Sequence, residues 1–103
     1  TLMQKIKTST ILEIVSMVTN VPVTDIISKS RKQEIVLARH ISMYFSRFKT
    51  TNNLLSIALK HGKNNHATVI HACQNISFDI KTNKNVRQTI EEIETLIQSQ
   101  TTK

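Results

Sequence analysis

One glycine and one proline serve all 103 residues, and that scarcity constrains the chain more than any other feature. A β-sandwich or barrel reverses direction at short intervals, and its turns draw on both residue types. With Gly62 and Pro22 as its only such residues, and 4% aromatics to furnish strands, this chain cannot build one. The pattern predicts an all-α fold of five to six helices. A chain of this length holds one modest core, so residues 1–103 are expected to form a single domain. No stretch approaches the roughly 18 apolar residues of a membrane span, and no basic-then-apolar leader opens the chain. A soluble, cytoplasmic protein is therefore expected. The lone Cys73 has no internal disulfide partner, which suits a reducing compartment.

The net charge of +7 is localised. Residues 1–27 balance Lys5 and Lys7 against Glu13 and Asp25. Residues 64–103 balance Lys81, Lys84, Arg87 and Lys103 against Asp79, Glu91, Glu92 and Glu94. Residues 28–63 carry eight basic side chains (Lys29, Arg31, Lys32, Arg39, Arg47, Lys49, Lys60 and Lys63) against Glu34 alone. Such a block calls for a polyanion, by default nucleic acid, because each neutralised phosphate releases condensed counterions. The competing readings are a solvated basic face and one that docks an acidic protein.

Along the chain, Thr8, Ser9 or Thr10 is placed to cap a first helix whose stripe is Ile11, Leu12, Ile14, Val15, Met17 and Val18, ending near Asn20. Pro22 extends Val21 to Val23, and Thr24-Asp25 is read as capping a short turn at Ile26-Ile27. Ser30 and Gln33 have capping-box spacing, which predicts a long helix from there to about Phe48. Leu37, Ile41, Tyr44, Phe45 and Phe48 recur on it at helical spacing as its core face. Arg39 and Arg47, eight residues apart, fall on nearly one face. Asn53 is the expected cap of a short helix made of Leu54, Leu55, Ile57, Ala58 and Leu59. Gly62 ends it, since only glycine takes the left-handed conformation there without strain. Asn64 or Asn65 caps the next helix, with Val69, Ile70, Cys73 and Ile76 facing inward. A final helix from Lys84 to about Gln98 presents Val86, Ile90, Ile93 and Ile97, and Ser99 to Lys103 is expected to fray.

A short helix, a glycine-containing turn and a second helix form the pattern of a helix-turn-helix. His66, Thr68 and His71 face outward near the start of the second helix, where such helices meet base edges. The segments SKSR, IVLARHISMYF and HATVIHAC follow one another in fixed order from Ser28 to Ile76. This stretch resembles the C-terminal DNA-binding domain of the bacterial chromosomal replication initiator family, DnaA.

That resemblance implies a helical module related to the Trp repressor, monomeric when isolated, that reads a DnaA box in double-stranded DNA on the bacterial nucleoid. It places Arg31 and Lys29 in an A·T-narrowed minor groove, and Asn65, His66, Ala67, Thr68 and His71 at base edges in the major groove. Leu54 and Leu55 correspond to residues at the DNA edge, and Lys32, Arg39, Thr50, Lys60 and Lys63 to backbone contacts. The chain departs from the family where a second glycine and Arg-Asp become Lys63-Asn64-Asn65, and where two threonines become Ala67-Thr68. An Asn favours adenine where an Asp accepts from cytosine, so each change is expected to shift base preference by about 1–3 kcal/mol. The phosphate-binding G-x-x-x-x-G-K-[ST] loop of the initiator's ATPase domain needs two glycines. It is absent from this sequence, so no nucleotide hydrolysis is expected here, and an ATPase domain is either attached or separate.

Catalytic readings fare poorly. His61, His66 and His71 recur every five residues, whereas ligands sharing a helix face lie three or four apart, so no metal is expected. Cys73 and His71 point apart on a helix and form no nucleophile–base pair. His40 is expected to pack or to meet solvent. No cofactor is implied for this chain, and a helical protein-interaction module with a basic face is the alternative to DNA reading.

Overall fold

The structure, a computed structural model, describes residues 7–50 and 52–101. These form six helices, α1 (Thr8–Thr19), α2 (Val23–Ile26), α3 (Gln33–Lys49), α4 (Leu54–Lys60), α5 (Ala67–Thr82) and α6 (Lys84–Thr101), with no strand among them.

α1 buries Ile11, Leu12, Ile14 and Val15, and it stops where Asn20 turns left-handed at φ 62°. Asn is the non-glycine residue that tolerates this conformation best. None of Thr8, Ser9 and Thr10 caps this helix; Lys7 holds the N-cap position. Thr8 is buried inside the first turn, and its hydroxyl accepts from Asn52 Nδ2 at 2.9 Å. A tertiary bond has taken the oxygen that a cap would use.

The second helix also starts earlier than Thr24-Asp25 foretells. Pro22 is its N-cap residue, and the Pro22 carbonyl accepts from Asp25 N and Ile26 N at 2.9 and 3.0 Å. A fixed φ and a missing N–H cost nothing at a helix start, which is why proline initiates a helix here. At α3 the capping box does not form. Lys32 is the N-cap, and the Ser30 hydroxyl accepts from Lys32 N at 3.3 Å inside the preceding loop.

α3 is the central helix. Its Ile35, Ala38, Ile41 and Phe45 join residues of α1, α2, α6 and Ile76 of α5 in one apolar cluster. Met43, on another face, joins Ile57 and Ala58 of α4 with Val69, Ala72 and Cys73 of α5 in a second. Leu37 and Tyr44 pack half-buried at the margin of the first cluster. Phe48 does not join the core: 59% of it is exposed, its ring edge-on to Tyr44 at 5.1 Å. α6 lays Val86, Ile90, Ile93 and Ile97 on α1 and α5, and Glu94 pairs with Lys49 at 3.5 Å. This helix continues through Ser99 to Thr101, beyond the expected fraying point; Thr102 and Lys103 lie outside the described residues. Among the described residues, no helix is long and apolar enough to cross a membrane.

Candidate nucleic-acid interface

α4, the turn after it and α5 form the helix-turn-helix. The Asn53 side chain accepts from Ser56 N at 2.8 Å and caps α4 as the sequence predicts. Ile57 and Ala58 face the core, while Leu55 and Leu59 are exposed and Leu54 is half-buried. At the other end Gly62 adopts φ 77°. Lys63 N donates back to Ala58 O at 2.9 Å and Gly62 N to Leu59 O at 3.1 Å, the paired bonds of a left-handed helix cap. A β-carbon on Gly62 would collide with the Ile27 carbonyl oxygen, so the glycine serves both the turn and a close approach to the loop before α3.

Neither Asn64 nor Asn65 holds the N-cap position of α5, which falls to His66. In the turn just before it, Asn65 Oδ1 accepts from Ala67 N at 2.9 Å and the Asn65 carbonyl from Thr68 N at 3.1 Å. These bonds engage the side-chain oxygen and leave the Nδ2 group as the donor Asn65 can offer a ligand. Val69, Ala72, Cys73 and Ile76 turn inward, which leaves His66 and His71 exposed and Ala67 and Thr68 half-exposed along the first turns. Ile70, expected inside, is half-buried.

The loop between α2 and α3 is held from within. Arg39 is 4% exposed, and its guanidinium donates to the carbonyls of Ile26, Ser28 and Ser30 at 2.8, 2.8 and 3.0 Å. Ser28 adds a hydroxyl bond to Asp25 O at 2.6 Å. Fixed this way, the loop presents Lys29, Arg31 and Lys32 to solvent. Arg39 therefore differs from the sequence expectation of an exposed backbone-phosphate contact: it is buried, and its Nε and Nη2 hydrogens are committed to loop carbonyls. It does not share a face with Arg47, which is exposed and lies 5.5 Å from the Phe48 ring. Thr50 also differs, since its hydroxyl donates to Ser46 O at 2.6 Å and accepts from Asn52 N at 3.3 Å, shaping the turn after α3.

Loop and turn face each other across one cleft lined by Lys29, Ser30, Arg31, Arg39, Leu59, Gly62, Lys63 and Asn64. Four of these are cations and none is an acid. Burial, and then the fields of Arg39, Arg31 and Lys29, hold the Lys63 ammonium below the ordinary lysine range. Like charges held together this closely are relieved by an anion. Lys60 is exposed at the end of α4.

Sequence reasoning missed His61. It is fully buried, with Nδ1 at 2.7 Å from Ile57 O and Nε2 at 2.7 Å from Ser42 Oγ. A carbonyl only accepts, so Nδ1 carries the proton and Nε2 accepts from the serine. Burial lowers the imidazole pKa, and that tautomer stays neutral. A signal existed in the spacing, since His61 falls four residues after Ile57 on the apolar face of α4. Among the described residues no group of three or more candidate side chains is placed to hold a metal. Burial pushes the Cys73 thiol up, against the nearby Arg47 guanidinium, which disfavours a thiolate.

A helix-turn-helix flanked by an acid-free cationic cleft defines the class of domain. The family described as "Bacterial dnaA protein helix-turn-helix" matches residues 8–76. The chain is 39% identical over 87 residues to the chromosomal replication initiator protein DnaA of Porphyromonas gingivalis, an overlap covering 84% of this chain and 18% of that protein. It is 34% identical over 87 residues to DnaA 2 of Chlamydia pneumoniae, covering 84% and 19%, and 33% identical over 90 residues to DnaA of Lactobacillus delbrueckii subsp. bulgaricus, covering 87% and 20%. The chain belongs to the bacterial DnaA helix-turn-helix family. It spans about a fifth of the length of the curated relatives it matches.

Proposed function

We propose that this chain binds double-stranded DNA sequence-specifically and recognises a DnaA-box-like site at a replication origin. The observation that carries this reading is the cleft in which Lys29 and Arg31 of the loop face Lys63 of the turn without an acid between them. Recognition helix and basic loop would engage neighbouring grooves of one duplex, with His66, Thr68, His71 and the Asn65 amide at base edges and Arg31 in the minor groove. Lys29, Lys32, Lys60 and Lys63 would neutralise phosphates, and Leu54 and Leu55 would meet the DNA edge. In this reading the chain is the DNA-addressing module of a replication initiator, working with an attached or separate ATPase domain, and it contributes no catalysis or cofactor of its own.

Anisotropy titrations of a box duplex and a scrambled duplex at two salt concentrations test this. Preference for the box by about a hundredfold or more is expected, together with a steep salt dependence on both duplexes. Arg31→Ala should weaken binding to A·T-flanked sites, and His66→Ala and Thr68→Ala should relax discrimination with the fold intact. Equal binding to both duplexes rejects box recognition, and binding to neither leaves the protein-docking reading of the basic face.

A further inference from the structure

We propose that His61 is a positioning residue that registers the recognition helix against the basic loop, acting through Ser42 and the central helix. The inference rests on the two-groove reading above. α3 carries two pins three residues apart and hence on one face: Arg39, which holds the carbonyls of Ile26, Ser28 and Ser30, and Ser42, which holds His61. His61 directly precedes Gly62, whose missing β-carbon lets the turn rest on the Ile27 carbonyl, beside the Ile26 carbonyl that Arg39 grips. Loop and turn are thus fixed to one helix and meet each other. A duplex sets the distance between adjacent grooves, so two reading elements must be held to within about an ångström to engage both.

An apolar side chain at position 61 would fill the volume without fixing a direction. The imidazole does both. Its two bonds, each 2.7 Å, run to different helices, Nδ1 to Ile57 on α4 and Nε2 to Ser42 on α3. Both side chains are fully buried, where a hydrogen bond is strong and an unmet acceptor is costly.

A double-mutant cycle reads the registration directly. In the otherwise wild-type chain, Arg31→Ala should weaken binding to an A·T-flanked box about tenfold. In a Ser42→Ala background the same change should cost less than about threefold, because a loop out of register has already lost its minor-groove contact. Ser42→Ala puts a better helix former into α3. His61→Leu removes both bonds at once and gives the same reading: the Ser42 hydroxyl can turn to a carbonyl of its own helix, while the Ile57 carbonyl loses the Nδ1 donor. His61→Gln keeps an acceptor for Ser42 and a donor for Ile57 and should restore the full Arg31 penalty. That restoration separates positioning from mere filling of space. A tenfold Arg31 penalty that persists in both the Ser42→Ala and His61→Leu backgrounds, with wild-type helicity, overturns the proposal. Equal binding of the unmutated chain to box and scrambled duplexes removes DNA reading itself, a separate failure seen before any variant is made.

Discussion

The Nε of Arg39 donates to the carbonyl oxygen of Ile26 at 2.8 Å, across 13 residues of sequence. Through this bond and its neighbours to Ser28 and Ser30, a buried arginine gives a loop without regular structure a defined shape. Arg39→Met keeps most of the side-chain volume and removes every donor. It is expected to destabilise the chain by about 2–3 kcal/mol, since bonds to a charged donor are the stronger kind. Chemical denaturation measures this, and an unchanged midpoint would show that the loop holds itself.

Gly62→Ala is expected to be severe for so small a change. The residue sits at φ 77°, and the new methyl meets a backbone oxygen, which cannot swing aside as a side chain would. A loss of at least about 1 kcal/mol in thermal or denaturant unfolding should follow, because the native φ is closed to alanine. DNA binding should fall with it, since the turn and the Ile27 carbonyl must separate.

Stability should decline on the acid side. Burial holds His61 below the ordinary histidine value of 6.5. His40 is likewise lowered, by burial and then by the Arg39 and Lys63 charges against an opposing pull from Asp79. A base whose folded pKa lies below its unfolded one binds fewer protons when folded, so stability is fully present above about pH 6.5 and is lost as pH falls through the folded values. Denaturation midpoints between pH 8 and pH 5 read the slope, and His61→Gln should flatten it. A His61→Gln profile that falls as steeply as the wild type would locate the proton uptake elsewhere.

Two aromatic residues three apart on α3 should behave oppositely. Phe45 is 1% exposed and lies in the main cluster, so Phe45→Ala is expected to cost about 3–5 kcal/mol. Phe48, largely exposed, meets Tyr44 edge-on and has the Arg47 guanidinium over its ring, and Phe48→Ala should cost less than about 1 kcal/mol. Comparable losses from both would place Phe48 in the core after all.

Elements whose determinants are local were legible in the sequence. Asn53 caps α4, Gly62 ends it, and Val86, Ile90, Ile93 and Ile97 form one buried stripe, because caps and stripes depend on neighbours a turn away. Side chains whose partners lie far along the chain were not. Thr8 has the residue type of a cap, yet it bonds Asn52, 44 residues on. Ser30 and Gln33 have the spacing of a capping box, yet Lys32 starts the helix. Within the candidate interface, the exposed placements of Lys29, Arg31, His66 and His71 agree with the sequence reading, because each follows from a position off the apolar faces. The role of Arg39 did not emerge from it, since a cation in a basic block looks alike whether it meets solvent or three carbonyls, and that of His61 depends on a hydroxyl 19 residues away.

By itself the sequence determined the helices, the family and the third of the chain that carries the excess positive charge, since glycine scarcity, apolar spacing and charge order are properties of the chain read in one dimension. Tertiary structure decided which basic residues remain available to a partner. Burial assigns Arg39 and His61 to carbonyls and a hydroxyl supplied by other segments, while Lys29, Arg31 and Lys63 converge on one cleft. The physical reason is desolvation: a polar group removed from water must be met by whatever the fold places beside it, and only the packed chain specifies what that is.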